Sequence, residues 1–351
     1  MLMSAVGMAV LLGLAYAFSR NRGAIAWRTV VGAFALQFGL GAFVLRVPWG
    51  KTLLSSLTEG VNGLLSYANE GISFLFGEIV GDSIGFTFAF KVLPIIVFFA
   101  SLIAVLYHVG IMKWVIRIVG GALQRVLGTS KAESMSATAN IFVGQTEAPL
   151  VVKPYIATMT QSELFAVMVG GLASVAGSAL GGYAMIGVPV DYLIAACFMS
   201  APGGLLFAKM LMPETEEPRT ELPSRADDEA PVNVIDAAAG GASSGLQLAL
   251  NVGAMLLAFV ALIALLNGML GGIGSWVGRP DLTLELMLGW AFSPLAFLLG
   301  VPWSEAVTAG SFIGQKLVVN EFVAYLNLAC LLYTSDAADD TPCVDLGGRR
   351  I

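Results

Sequence analysis

The sequence predicts an all-α integral membrane protein with about seven transmembrane helices, two opposed re-entrant helical hairpins and an interfacial amphipathic helix. Composition is the first observation: 57% of the residues are hydrophobic and only 12% are charged, whereas soluble domains carry about a quarter charged residues. The second is a series of long apolar runs, and the third is that two further apolar segments are interrupted at mid-length. A lipid bilayer explains all three, because it replaces water as the solvent for most of the surface.

Seven apolar runs approach the length of about 20 residues that a membrane span requires. They cover residues 1–19, 25–46, 88–112, 161–186, 190–212, 246–270 and the less apolar 303–329. No basic residue precedes the first run, and Arg20 and Arg22 follow it, which is the reverse of a signal peptide. Because basic loops stay in the cytoplasm, we expect a multi-pass membrane protein with its N-terminus outside.

Residues 51–78 form the amphipathic segment. Leu53 and Leu57 fall on one helical face, whereas Glu59 and Asn62 fall largely opposite. This pattern predicts a helix lying in the membrane interface. The alternative is a helix that packs on the rest of its own protein.

The two interrupted segments are 131–157 and 282–301. Gly144-Gln145-Thr146-Glu147 breaks the first before Pro149 restarts a helix, and Ser293-Pro294 breaks the second. Each half has roughly 10 residues, or ~15 Å of helix, which is about half a bilayer. We therefore predict re-entrant hairpins that enter from opposite sides. Paired broken segments in two parts of a chain indicate a transporter binding site.

Charged and metal-binding residue types exclude several other functions. The net charge of −6 is spread over many short loops, so we expect no nucleic-acid partner. The three cysteines have no metal or disulfide spacing, and a single histidine, His108, cannot form a histidine-based metal site. We expect a structural or interfacial role for His108, no catalytic residues and no organic cofactor.

Ionisable residues inside spans are costly and indicate function. Glu147 lies at the tip of the first predicted hairpin, and Glu321 lies within the seventh span. The functional interpretation is that both carboxylates line one aqueous cavity and accept hydrogen bonds from a polyhydroxylated solute. The structural alternative is a buried ion pair between Glu321 and Lys316.

The fourth span carries small residues four apart, namely Gly170, Ser174, Ser178 and Gly182. This spacing predicts close helix packing on one face. A serine hydroxyl and free backbone carbonyls beside a broken hairpin are also suitable ligands for Na⁺.

Four motifs carry a resemblance to a known family. They are Gly144-Gln145-Thr146-Glu147-Ala148-Pro149-Leu150, Ser174-Val175-Ala176-Gly177-Ser178, Pro302-Trp303-Ser304-Glu305-Ala306 and Asn320-Glu321-Phe322-Val323-Ala324-Tyr325. The chain resembles the concentrative nucleoside transporters in order from residue 1 to about residue 329. The resemblance implies sodium-coupled symport of nucleosides by alternating access, in a homotrimer embedded in the lipid bilayer with one solute path per protomer.

By position, the resemblance also assigns roles to individual residues. Gln145, Thr146 and Glu147 would contact the nucleobase, Ala179 falls at a base-facing position, and Glu321 would bind ribose hydroxyls. The Na⁺ ligands would come from Asn140, Val143, Ser174 and Val175. Thr146 followed by Ala148-Pro149 is similar to sodium-coupled members, and the choice between purine and pyrimidine stays open.

The resemblance also divides the chain. Residues 1–130 would form the scaffold and trimerisation part, and 131–212 the first hairpin with spans four and five. An acidic loop would cover 213–245, and 246–329 would hold span six, the second hairpin and span seven. Residues 330–351 resemble unrelated translated sequence. The family has a further span that supplies ribose contacts, so we expect a chain truncated before its last transmembrane span.

Three other functions stay open at this point. The first is proton-coupled nucleoside transport, in which Glu147 or Glu321 would act as a proton relay. The second is a membrane-embedded enzyme that uses the same two carboxylates as acid and base, although no nucleophile or cofactor loop supports it. The third is a passive channel, which would not concentrate its solute.

Overall fold

The computed structural model describes residues 2–80, 87–144, 148–175, 177–218, 231–276 and 278–334. Within these ranges the regular structure is helical and contains no strand, which confirms the all-α part of the predicted fold class. The α-helices in chain order are α1 (Leu2–Ala17), α2 (Trp27–Arg46), α3 (Pro48–Phe76), α4 (Phe88–Lys91), α5 (Leu93–His108), α6 (Ile111–Leu127), α7 (Lys131–Ala139), α8 (Ala148–Val151), α9 (Lys153–Ile156), α10 (Gln161–Ala173), α11 (Leu180–Met185), α12 (Val190–Leu211), α13 (Val234–Trp276), α14 (Leu284–Leu298), α15 (Ala306–Val318) and α16 (Glu321–Thr334).

Four segments of the described chain are helical, long and apolar enough to cross a bilayer unaided. They are Trp27–Val44, Phe88–His108, Val190–Leu211 and Val234–Trp276. In the 18-residue apolar stretch of α12, 67% of the residues are buried inside the protein, against 11% in that of α13. α12 is therefore the central helix, whereas α13 lies at the periphery and leaves most of its surface to its surroundings. α13 begins at Val234, inside the stretch assigned to the acidic loop.

The largest apolar cluster forms around α12. Leu193, Leu205 and Leu206 are each 1% exposed, and they belong to one buried cluster with Val92 and Ile96 at the start of the third span. Lipid tails are as apolar as leucine, so close packing holds such helices together rather than removal from water.

Small residues let α13 approach α5 closely. A Cβ atom placed on Gly241 would lie 2.5 Å from the Cβ of Ala104, and one on Gly245 would lie 2.7 Å from the Cβ of Ala100. The four-residue spacing puts both glycines on one face of α13. This is the small-residue packing that membrane helices use.

The amphipathic segment is one long helix, α3. Its residues Leu65, Ala68 and Ile72 are buried against Ile95 and Phe99 of α5. Other apolar residues of α3 are exposed, with Leu53, Leu57, Phe74 and Leu75 at 53%, 40%, 91% and 70% exposure. The helix therefore packs on its own protein through Leu65, Ala68 and Ile72 and leaves further apolar side chains free for lipid.

The second hairpin has different bounds from those predicted. α14 runs unbroken through Ser293 and Pro294, and the chain reverses between residues 299 and 305, so α14 and α15 are the two arms. Proline removes the donor that would bond the Trp290 carbonyl, but the Ser293 hydroxyl donates to that carbonyl at 3.0 Å. The predicted break at Ser293-Pro294 is therefore wrong, because a neighbouring side chain satisfies the freed carbonyl.

Glycines bring the two arms of this hairpin together, and an asparagine fixes its start. A Cβ atom on Gly310 of α15 would lie 2.7 Å from the Ser293 nitrogen of α14.

On α13, Asn267 is 9% exposed; its oxygen accepts from the Leu284 N–H at 2.7 Å and its nitrogen donates to Glu285 at 3.0 Å. Asn267 thereby caps α14 from a neighbouring helix.

Two predicted spans are interrupted where no interruption was expected. The fourth ends its first helix at Ala173 and continues as a 3₁₀ turn, Gly177–Ala179, before α11. The predicted span 303–329 divides into α15 and α16 at residues 319–320. The expectation that Gly170, Ser174, Ser178 and Gly182 share one helical face is therefore wrong, because α10 has ended before Ser174.

Candidate functional site

The first hairpin begins with a helix whose start is strongly specified. Ser130 and Glu133 form a reciprocal capping box, in which the Ser130 N–H donates to Glu133 at 2.8 Å and the Glu133 N–H donates to the Ser130 hydroxyl at 3.2 Å. The helix α7 ends at Ala139, and the following residues turn tightly, with the Phe142 N–H donating to the Ala139 carbonyl at 2.9 Å. This turn places residues 140–144 at the inner end of the hairpin's first arm.

The turn that follows α7 lies directly against the break in span four. A Cβ atom on Gly177 would lie 2.3 Å from the carbonyl oxygen of Phe142, so only glycine fits at this contact. A second contact joins Asn140 to α10, since a Cβ on Gly170 would lie 3.2 Å from the Asn140 side-chain nitrogen. Two irregular stretches of backbone thus meet inside the protein, which is the setting in which membrane proteins tolerate them.

Asn140 carries the most informative side chain at this meeting point. It is 1% exposed, and neither its side-chain oxygen nor its nitrogen has a hydrogen-bond partner in the part of the chain that the structure describes. A buried amide without a partner costs free energy. The arrangement therefore has an uncharged oxygen ready for a ligand, which fits the Na⁺ role expected for Asn140.

The other three expected Na⁺ ligands lie in the same two stretches. Ser174 ends α10 in an extended conformation, is 6% exposed, and donates to the Gly171 carbonyl over a long 3.4 Å. Val175 is 5% exposed, and its carbonyl accepts a weak bond from the Cys197 thiol at 3.5 Å. The side chain of Val143 is buried in an apolar cluster with Ile116, which leaves its backbone carbonyl as the candidate ligand.

Gln145, Thr146 and Glu147, the residues expected at the nucleobase, lie outside the described residues. Ala179 closes the 3₁₀ turn of span four and is 7% exposed within the main apolar cluster.

Glu321 is the first residue of α16, directly after the break in the predicted span 303–329. Its carboxylate lies at a helix N-terminus, where negative charge is favoured. One oxygen is 3.8 Å from the Lys316 ammonium and has no hydrogen-bond partner among the described residues. The side chains are 25% and 42% exposed, so the structural alternative is present only as a long, half-open ion pair. Such pairs contribute about 0–1 kcal/mol.

Polar side chains stabilise the break between α15 and α16 at residues 319–320. The sequence analysis identified only some of them. Gln315 is 2% exposed, and its backbone carbonyl accepts from the N–H groups of residues 319 and 320 at 2.9 and 3.1 Å. Its side chain bonds Ser311 and, across the break, Asn327. The Asn320 oxygen accepts from the Phe322 N–H at 2.7 Å. Asn327 was missed, although an asparagine in an otherwise apolar helix was the available signal.

An aromatic cluster beside Glu321 was also missed. Tyr183 of α11 is 3% exposed, and its ring centroid lies 4.5 Å from that of Phe322 and 4.7 Å from that of Tyr325. These contacts join the far side of the span-four break to α16. Spans four and seven, which both contain breaks, are therefore packed into one unit around the candidate site.

Comparison with known proteins gives the family. Three family models match successive parts of the chain: "Na+ dependent nucleoside transporter N-terminus" at residues 6–79, "Nucleoside recognition" at 89–189 and "Na+ dependent nucleoside transporter C-terminus" at 192–340. An uncharacterized transporter of Haemophilus influenzae is 59% identical over 339 residues, covering 96% of this chain and 81% of the relative. The nucleoside permease NupC of Helicobacter pylori is 55% identical over 335 residues, covering 93% and 79%.

Comparison with solved structures gives the same family. CNTnw in an inward-facing substrate-bound state has a TM-score of 0.91 at 58% identity, covering 96% of this chain and 81% of that one. CNTnw variants have also been solved in outward-facing and intermediate states, with TM-scores of 0.90 and 0.93 for two of them. The relatives are transporters and permeases, in agreement with the prediction that the chain is not an enzyme. The chain belongs to the concentrative nucleoside transporter family, the Na⁺-dependent nucleoside transporters.

Proposed function

We propose that this protein imports nucleosides across the bacterial cytoplasmic membrane by symport with Na⁺ and alternating access. The observation that carries the proposal is the buried, unpartnered amide of Asn140 where the first hairpin meets the break in span four. That amide and the neighbouring carbonyls supply hard, uncharged oxygen atoms, which Na⁺ prefers. The names of the matched family models, and the several states in which CNTnw is known, support the same mechanism.

The substrate would lie between the hairpin tip and α16. Gln145, Thr146 and Glu147 would contact the nucleobase beside Ala179, and Glu321 would accept hydrogen bonds from ribose hydroxyls. The Na⁺ ligands would be Asn140, Val143, Ser174 and Val175.

The assembly and orientation are part of the proposal. The protein would be a homotrimer with its N-terminus outside, and the mostly unburied α13 offers apolar surface for a neighbour or for lipid. Crosslinking in native membranes followed by mass determination tests the trimer. A mass of one protomer would contradict it.

The experiment for coupling is uptake of uridine into vesicles containing the protein, with Na⁺ and pH varied separately. One Na⁺ entering at −100 mV gains ~2.3 kcal/mol, which allows roughly 50-fold accumulation at 1.4 kcal/mol per tenfold. Replacing Na⁺ by choline at fixed pH should abolish the accumulation. Uptake that ignores Na⁺ and follows a pH gradient would instead establish proton coupling, and equilibration without accumulation would indicate a channel.

A matched pair of variants locates the ion. Asn140→Ala should remove the stimulation by Na⁺ because it deletes the buried oxygen. Asn62→Ala makes the same chemical change on the exposed part of α3 and should leave the stimulation intact. Equal Na⁺ stimulation in both variants would exclude Asn140 as a ligand.

A further inference from the structure

Lys209, near the cytoplasmic end of α12 in the proposed topology, is a cation buried among three other elements. It is 6% exposed, forms an ion pair with Glu133, donates to the Ser162 hydroxyl at 2.8 Å and lies 3.4 Å from the Glu214 carboxylate. Glu133 is 2% exposed. Buried ion pairs are poor stabilisers, and apolar replacements are often as stable. A contribution to stability therefore does not account for these buried charges, and their effect on the positions of the helices is considered instead.

Two of the partners of Lys209 come from the starts of two helices. Glu133 lies in the first turn of α7, and Ser162 lies in the first turn of α10. Both helices begin with the same reciprocal capping box, Ser130 with Glu133 and Thr160 with Glu163. One ammonium group thus holds the starts of two helices at the same level.

The same two helices end at the proposed sodium site. From Glu133 to Asn140 the chain rises ~10 Å, and from Ser162 to Gly170 it rises ~12 Å, at 1.5 Å per residue. The contact between Asn140 and Gly170 shows that these two points lie side by side. α7 and α10 therefore run parallel from Lys209 to the ion site, and a shift of one along the other would separate Asn140 from Ser174.

We propose that Lys209 is a positioning residue for the sodium site, which sets the axial register of α7 against α10. The inference rests on the proposed sodium-coupled function. Metal–ligand distances are kept to within about 0.2 Å, so a small slip of either helix weakens the site. Lys209 acts from about two helical turns away and does not touch the ion.

The test measures the half-saturating Na⁺ concentration, which is the Kd for Na⁺, from the rise in thermal stability of the purified protein with Na⁺ concentration, with choline keeping the ionic strength constant. An ion that binds only the folded state adds RT ln(1 + [Na⁺]/Kd) to the free energy of unfolding, so the dependence of stability on Na⁺ concentration gives the Kd. Lys209→Met should raise the half-saturating concentration about tenfold, or ~1.4 kcal/mol. Ser162→Ala keeps the ion pair but removes the direct hydrogen bond between Lys209 and α10, leaving the link from Thr160 through Glu214, and should raise the half-saturating concentration about threefold, or ~0.7 kcal/mol at the same conversion.

Asn267→Ala is the matched control, because it removes a buried polar link between α13 and the start of α14, away from α7 and α10. It should lower the melting temperature in choline without changing the half-saturating Na⁺ concentration. If Lys209→Met does not fold, the half-saturating Na⁺ concentration of Ser162→Ala tests the inference instead.

Lower melting temperatures with an unchanged half-saturation in the Lys209 and Ser162 variants would overturn the inference. They would mean that the cluster stabilises the fold alone. If Na⁺ does not stabilise even the unsubstituted protein, the proposal of a sodium site is refuted, and the proposed role of Lys209 is refuted with it. The two failures are thus distinguishable.

Discussion

Replacing Glu321 by glutamine separates a sugar-binding carboxylate from a structural one. The substitution keeps the shape of the side chain but removes its charge and turns one acceptor oxygen into a donor. The ion pair that it breaks is 3.8 Å long, and its partners are 25% and 42% exposed. Solvent screening limits such a pair to about 0–1 kcal/mol, so the melting temperature should change little.

The effect on nucleoside binding should be larger. A hydrogen bond to a charged group contributes ~1.5–3 kcal/mol, so loss of even one should weaken uridine binding at least about tenfold, or ~1.4 kcal/mol. A dideoxy analogue has fewer hydroxyl bonds to lose and should weaken less.

Calorimetry in detergent with both ligands, alongside thermal stability, makes the comparison. Lys316→Met is the control, because it breaks the same ion pair and leaves the carboxylate in place. An unchanged ratio of the two affinities together with a marked loss of stability would refute the sugar-binding role. It would mean that Glu321 holds the fold.

Two further predictions concern backbone packing. Gly177→Ala should lower the melting temperature markedly and weaken Na⁺ stabilisation, because its Cβ would lie 2.3 Å from the Phe142 carbonyl; Gly121→Ala, which meets nothing within 4 Å, should be neutral or stabilising. Ser293→Ala should cost about 1 kcal/mol, because the Trp290 carbonyl loses its donor, and an unchanged melting temperature would show that water replaces it.

The sequence was sufficient for elements whose signal is continuous. α5 and α12 were located because their apolar runs, 88–112 and 190–212, are long. Apolar composition reports which segments avoid water, so it finds spans well. It says little about how the backbone within a span is arranged.

The breaks in spans four and seven were missed for that reason. Neither contains a proline, and the residues at 174–176 and 319 are small or apolar, so hydropathy continues across them. The first break depends on Gly177 packing against Phe142, far away in sequence. Conversely, Pro294 predicted a break that does not exist, since Ser293 compensates locally. The first error comes from a long-range packing contact and the second from a local side-chain hydrogen bond, and hydropathy reports neither.

Lys209 shows a similar limit in the site. In the sequence it is one positive charge near the end of the apolar run 190–212. Its ion pair with Glu133 depends on α7 and α12 meeting in the fold. Motif resemblance named the candidate ligands, but it carried no information on what holds their helices in register.

The arrangement of breaks also explains why ion and solute binding should be coupled. Span four connects both ends of the site: its break faces Asn140 of the hairpin, and the helix after the break packs through Tyr183 on Phe322, next to Glu321. An ion that orders the break therefore also orders the wall against which a nucleoside would bind. Thermodynamic linkage makes the effect reciprocal, so the factor by which Na⁺ raises uridine affinity must equal the factor by which uridine raises Na⁺ affinity. Replacing Tyr183 by alanine should reduce both factors equally and leave Na⁺ and uridine each able to bind alone. The reason is that the substitution removes the contact between span four and α16 and does not remove a residue proposed to bind Na⁺ or uridine.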